Sequence, residues 1–434
     1  MVWSVAMAAT DTHRTVQGTI QATIQAVWRI EQAKLIASLV RVTRDVGLAE
    51  ELAQDALVAA LEEWPRTGVP DNPAAWLTAT AKHRAIDRFR RNKLVERKHD
   101  ELGHELQEAE RDMPDFDAAL DDDIGDDLLR LIFTACHPAL STEARTALTL
   151  RLLGGLTTDE IARAFLVAEP TIAQRIVRAK RTLTEQRVPF EVPHGADRNE
   201  RLSSVLDVIY LIFNEGYAAT AGDDWMRPAL CGEALRLGHI LAGLAPLEPE
   251  VHGLVALMEI QASRFPARTG PDGEPILLLE QNRARWDQLL IRRGLAALAL
   301  AESLSGEPGL YVMQAAIAAC HARARVADDT DWLRIVTLYG ALAELMPSPV
   351  IELNRAVAVS MASGPAAGLE LVDRLSTEPA LKAYHLLPSV RADLLSKLGR
   401  HGEARGEFER AASLTRNERE RRLLLARAAD AAAK

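Results

Sequence analysis

The 434-residue chain is short of several things that would define a function at once. It has three cysteines, Cys136, Cys231 and Cys320, an odd number set far apart with no C-x-x-C pair. That argues against a disulfide framework or a cysteine-built zinc site, and for a reducing, cytoplasmic compartment. No run approaches the roughly 18 apolar residues needed to cross a bilayer. The first thirty residues lack a positive start followed by an unbroken apolar core, so neither membrane insertion nor export is expected. Alternating β-branched runs bounded by turn dipeptides are almost missing. So are the signatures of catalysis: no Walker loop, no G-x-G-x-x-G after a strand, no G-x-S-x-G and no H-E-x-x-H. The chain is therefore expected not to be an enzyme and to need no cofactor or metal. Cys136-His137, followed by Pro138, reads as core and helix cap. Asn214 to Tyr217, near Asp223-Asp224, reads as a turn between helices.

What remains is charge and helical periodicity. Apolar content of 48% with 26% charged residues describes a folded globular chain, long enough for two to four cores. The net charge of −10 speaks at first against a nucleic-acid partner. Its distribution says otherwise. Residues 1–99 net +3, residues 100–127 net −12, residues 128–190 net +4 and residues 191–434 net −5. Two mildly basic segments flank a strongly acidic one, whose Gly103, Pro114 and Gly125 break helices and whose like charges repel. It reads as an extended linker.

Apolar residues recur at three- and four-residue spacing nearly everywhere, so the fold is expected to be all-α. Ile30, Leu35, Ile36, Leu39 and Val40 form one stripe, and Leu52, Ala56, Leu57, Ala60 and Leu61 another, with Trp64-Pro65 ending the second helix. Asn72-Pro73 opens a third helix. Past its core face of Trp76, Leu77 and Ala81, that helix carries eight Lys and Arg between Lys82 and Lys98, opposed only by Asp87 and Glu96. Arg84, Arg88 and Arg91 lie at i, i+4 and i+7 on one face, a ridge suited to tracking phosphates.

Residues 141–187 carry the sharpest constellation. A helix closed by Gly154-Gly155 precedes a short capped helix, Glu160 to Phe165, and a brief turn into Pro170 to Arg181. Ile172, Ile176, Val177 and Leu183 are expected to face the core, leaving Thr171, Gln174, Arg175 and Arg178 outward. The small Ala162 allows the two helices to cross closely. This is helix-turn-helix patterning. From Arg198 onward, helical hairpins follow, with predicted helices at 289–304, 314–327, 332–345, 349–362 and 366–375. Leu398 to Ala404, followed by Phe408 and Ala411-Ala412, has tetratricopeptide-like spacing in an irregular α-helical repeat. Arg264 to Pro275 is the main irregular loop, read as a connection that could alternatively serve a ligand.

Taken in order, Ala49 to Ala56, Trp64, Asn72 to Leu77, Ala85 to Arg91 and the helix-turn-helix resemble a bacterial RNA polymerase sigma factor of the extracytoplasmic-function type. The likeness is to the subgroup with a long tetratricopeptide-like C-terminal extension. It implies region 2 at 25–97, an acidic linker at 98–127, region 4 at 128–187 and the extension at 198–434. The resemblance implies contacts of Glu50, Glu51, Gln54 and Asp55 with core RNA polymerase. It implies that Trp76, His83, Arg84, Asp87, Arg88, Arg90 and Arg91 engage promoter DNA at the −10 element. Pro170, Thr171, Gln174, Arg175, Arg178 and Lys180 would serve the −35 element in the same way. The acidic linker would thread the positively charged channel of the polymerase. The extension would regulate activity, through a regulatory protein or a ligand. Two residues depart from the pattern: His83 stands where such helices commonly have Asn, and Leu166 where the turn usually has Gly. Two competing readings are a ligand-sensing helix-turn-helix regulator and a helical-repeat scaffold.

Overall fold

The structure is a computed structural model, and it describes residues 2–99 and 124–433 except Leu166, Thr220, Asp224, Asp272 and Ser305. It is α-helical almost throughout. Its paired strands, among the described residues, are two two-residue segments, Ala221–Gly222 and Arg416–Asn417, joined in parallel. No helix among the described residues is long and apolar enough to cross a membrane. The chain divides into two compact units, Met1–Val208 and Ile209–Lys434.

In the first unit, α1 (Val2–Thr43), α2 (Val46–Thr67) and α3 (Pro73–His99) come first. Asp45 caps α2 by accepting from the Leu48 amide at 2.9 Å, and Asn72 caps α3 by accepting from the Ala75 amide at 3.1 Å. The predicted end of α2 at Trp64-Pro65 is displaced. Pro65 is accommodated in the last turn, and the helix stops at Gly68, whose φ of 86° lets its amide return to the Trp64 carbonyl. Leu35, Ile36, Leu39 and Leu52 are buried as expected, whereas Ile30 is 63% exposed and Leu61 is exposed.

Then follow α4 (Ile124–Ala135), α5 (Thr142–Leu152), α6 (Thr158–Phe165) and α7 (Glu169–Glu185). Helix α4 begins inside the segment read as linker, because Asp127 is buried and ion-paired with Arg41 of α1 at 3.1 Å and Arg130 at 2.7 Å. The remainder of the acidic stretch, 100–123, lies outside the described residues. His137 accepts from the Ala139 amide at 3.1 Å, which makes Cys136-His137 the cap it was read as. Cys136, Cys231 and Cys320 are all free and buried. Burial pushes the Cys136 thiol up to about 11 and the Cys231 thiol up to about 12.

Helix α8 (Gly195–Tyr217) leads into the second unit. It includes Asn214 to Tyr217, so these residues are the last helical turn and not a turn between helices. The second unit continues with α9 (Pro228–Leu244), α10 (Pro249–Ala262), α11 (Gln288–Ser303), α12 (Leu310–Arg323), α13 (Trp332–Leu345), α14 (Pro349–Ser363), α15 (Pro365–Leu375), α16 (Leu386–Lys397), α17 (His401–Leu414) and α18 (Glu418–Ala432). Leu395, Ala404, Phe408, Ala411 and Ala412 share one core, as the tetratricopeptide-like spacing requires.

Helix α10 is the buried axis of this unit, with Val251 to Ile260 all inaccessible. Its Glu250 accepts from the Tyr311 amide at 2.7 Å and the Val312 amide at 3.3 Å, closing the start of α12. The approach is close enough that a Cβ on Gly253 would fall 2.7 Å from the Val312 nitrogen. Gly253→Ala should therefore cost about 1–3 kcal/mol in urea denaturation. Gly232→Ala in α9, whose Cβ would meet nothing within 4 Å, should be neutral or stabilise by up to about 1 kcal/mol.

Candidate functional site

Two surfaces gather the charged residues singled out in the sequence, one on α2 and α3, the other on α7. Along α2, Glu51, Asp55, Val58 and Leu61 recur at helical spacing and are exposed at the side-chain level. Val58 and Leu61 thus add an apolar flank to the acidic pair. The sequence signal was there, in the three- and four-residue spacing from Glu51, but apolar residues at that spacing read first as core.

Across the groove, Arg88 of α3 lies 3.3 Å from Glu51, and Arg84 lies 3.8 Å from Asp55. The basic ridge therefore has carboxylate partners, supplied by the neighbouring helix and not by its own i±4 positions. Both pairs are solvent-exposed, where such contacts contribute about 1 kcal/mol or less and exchange easily for stronger partners. His83, Asp87, Arg90 and Arg91 continue the exposed face. Trp76 is set back: half-buried, it meets the buried Trp64 edge-on with ring centroids 5.3 Å apart.

Gln54 and Glu50 belong to a different environment. Glu50 is 3% exposed, accepts from Gln54 Nε2 at 2.6 Å, and is ion-paired with Arg151 of α5 at 2.7 Å and with Lys180 of α7. Gln32 of α1 donates to the Arg151 carbonyl at 2.9 Å. Glu50 was expected on the polymerase-facing surface and Lys180 on the DNA-facing one. The structure brings them together instead, because Glu50 lies on the apolar face of α2 with Ala49, Leu52 and Ala53, and burial there demands cationic partners.

Helices α6 and α7 form the helix-turn-helix. A reciprocal cap fixes the entry: Glu160 accepts from the Thr157 amide at 2.8 Å, and Thr157 Oγ1 accepts from the Glu160 amide at 3.1 Å. Ile161 and Ala162 are buried, and the Val167 amide donates to the Ala162 carbonyl at 3.0 Å through the turn. Leu166 itself lies outside the described residues. Pro170 sits in the first turn of α7, and Ile172, Ile176, Ala179 and Leu183 form its buried seam. Thr171, Gln174 and Arg178 are exposed and Arg175 is half-buried. Hydrogen bonds from its own amide and Ser141 hold the Glu143 carboxyl below its usual range, with Arg175 and Arg145 adding attraction.

Val177 departs from expectation. It was assigned to the core, yet it is 63% exposed, since at one residue past Ile176 it rotates out beside Gln174 and Arg178. An exposed branched methyl pair among amide and guanidinium groups is the chemistry that meets a thymine methyl in a major groove.

Comparison with known proteins matches the segments that contain these helices. Residues 27–95 match Sigma-70 region 2, and residues 130–183 match Sigma-70 region 4. Residues 201–302 match DUF6596, a family of unknown function. An uncharacterized protein of Rhizobium meliloti is 44% identical, covering 88% of this chain and 89% of its own length. The ECF RNA polymerase sigma factor SigK of Mycobacterium ulcerans is 31% identical over 33% of this chain and 74% of its own length. The ECF RNA polymerase sigma factor SigC of Mycobacterium tuberculosis is 28% identical over 43% of this chain and 90% of its own length. No solved structure matches the chain.

Proposed function

Because the chain belongs to the extracytoplasmic-function RNA polymerase sigma factors, we propose that it recruits core polymerase to a subset of promoters and helps open them, in the cytoplasm and without chemistry of its own. Glu51 and Asp55, flanked by Val58 and Leu61, form the polymerase-binding stripe of α2, with the half-buried Gln54 at its edge, turned toward Glu50. His83, Arg84, Asp87, Arg88, Arg90 and Arg91 track the −10 element, and Trp76 holds their helix against Trp64. Taking a base out of the stack leaves a single strand to be held, which a basic helix face does. Thr171, Gln174, Arg175, Val177 and Arg178 read the −35 element from the major groove, with Pro170 setting the start of their helix. Lys180 reaches phosphate only when Glu50 releases it. The acidic stretch between α3 and α4 is the part of the 98–127 segment that meets the positively charged polymerase channel, since Asp127 is taken up by Arg41 and Arg130, and residues 198–434 regulate the whole.

The observation that supports this most is the division of α7 into a buried apolar seam and an exposed face of amide, hydroxyl, guanidinium and methyl groups. A bare scaffold helix has no need of that mixture. The test is reconstitution: purified protein with core polymerase should initiate at one class of promoter. Tight, specific duplex binding without core polymerase would instead favour a conventional helix-turn-helix regulator. Arg178→Ala should lower −35 affinity of the holoenzyme about tenfold, read in a promoter-binding titration, with core binding unchanged.

A further inference from the structure

Helix α8 and the loop after α10, neither assigned a function by the sequence, meet inside the second unit. Three arginines there, Arg264, Arg268 and Arg283, are 7%, 5% and 7% exposed. Among the described residues, none of them has a carboxylate within ion-pair distance. Asp329 attracts Arg283 without reaching ion-pair distance, and Glu215, two residues before Tyr217, is engaged by Arg227.

Their surroundings are aromatic and neutral. Arg268 lies over the Tyr217 ring at 3.5 Å and donates to the Tyr217 carbonyl. Arg283 donates to the carbonyls of His321 at 2.8 Å and Ala324 at 3.0 Å and to Thr330 Oγ1 at 2.9 Å. Arg264 has no such anchor: it lies 5.1 Å from the Trp286 ring, which Arg283 also approaches at 5.1 Å, and its Nε has no hydrogen-bond partner. Arg264 repels both Arg268 and Arg283. Burial, and then Arg264 and Arg283, push the His321 imidazole down to about 3, so the ring is neutral. Burial pushes the Tyr339 phenol up to about 12, with Arg264 pulling the other way.

Burying an ion away from a counter-ion is costly. Cation–π contacts with Trp286, Tyr217 and Trp225 recover part of that cost. Among the described residues no carboxylate pairs with these guanidinium groups, and Arg264, whose Nε has no hydrogen-bond partner, is the least anchored of the three.

We propose that Arg264, Arg268 and Arg283 form a binding site for a small dianion, a phosphate monoester or a dicarboxylate. Such a site makes the C-terminal extension responsive to a metabolite. Arg264 is its central ligand-binding group, and the other two are fixed by the carbonyls they hold.

The proposal is tested on the full chain by calorimetry and thermal melting. The probes are glycerol 3-phosphate and sodium succinate, against sodium acetate and sodium chloride at matched ionic strength. One dianion should bind at least tenfold more tightly than acetate and raise Tm, and the arm that does so identifies phosphate or dicarboxylate as the source. Arg264→Met should weaken that binding at least 30-fold while raising the Tm of the ligand-free protein, since it removes the unpaired charge. Arg325→Met, at an exposed arginine of the same unit, should leave the binding unchanged. Equal behaviour of dianions and acetate would overturn the proposal. So would retention of binding in Arg264→Met, or a ligand-free Tm lowered by that change, which would mark the guanidinium as a structural strut.

Discussion

Full-length protein carrying Glu51→Arg and Asp55→Arg is expected to bind core RNA polymerase about 100-fold more weakly. Two close charge contacts at about 1.4 kcal/mol each give that factor. The effect should shrink with added salt, because both carboxylates are solvent-exposed. The same substitutions place like charges beside Arg84 and Arg88, so stability must be checked. Loss of two exposed pairs costs about 1 kcal/mol each at most, which a thermal melt distinguishes from unfolding. Val58→Asp separates the two contributions: it leaves both ion pairs intact but desolvates a charge against any partner that covers the stripe. If surface-binding measurements show core affinity unchanged in both variants, α2 is not the polymerase contact.

The helices were legible because periodicity and caps are local. Asp45, Asn72 and the Thr157–Glu160 pair all mark starts that the structure keeps. The predicted helices of the extension fall within a few residues of those formed, since their ends are written by Asp287, Asp331 and Pro349. Residues whose role depends on a distant neighbour were not legible in this way. Glu50 looks like Glu51 in sequence, but one position turns it by about 100° around the helix, from solvent into a face closed by Arg151, 101 residues away. Val177 errs in the opposite sense for the same reason. Asn214 to Tyr217 were read as a turn from Asn and Gly, yet they are helical, and Gly216 serves packing instead of a turn, since a Cβ there would fall 2.7 Å from the Cys231 amide nitrogen. Tertiary closeness overrode local propensity. The buried arginines carry no sequence signature, because burial of a guanidinium is decided by what packs over it.

The largest stability effect in the first unit is expected from Glu50. Removing one member of a buried ion pair strands the others, at about 3–5 kcal/mol. Arg151 and Lys180 retain side-chain exposures of 21% and 22%, so the lower end of that range applies to Glu50→Ala. At about 2–4 °C per kcal/mol for a unit of this size, the melting transition should fall by roughly 6–12 °C. Glu50→Gln keeps a partner for Arg151 but loses the charge, and should fall between. Lys180→Met leaves Glu50 paired with Arg151 and Gln54, so its own cost is smaller, and the double change should cost less than the sum of the singles. The cycle reports the Glu50–Lys180 coupling directly. A second readout follows from the same geometry. An ammonium held by Glu50 cannot neutralise a phosphate, and one released from it can. Holoenzyme made with Glu50→Ala should show a −35 binding curve whose log–log salt slope is steeper by about 0.9, the value for one more phosphate contact. Lys180→Met added to Glu50→Ala should cancel the gain. A fall in stability with no change of slope would leave Glu50 as a packing device only. A steeper slope, lost again with Lys180, makes the packing of α2 against α7 the thing that withholds one of the DNA contacts until the protein is engaged.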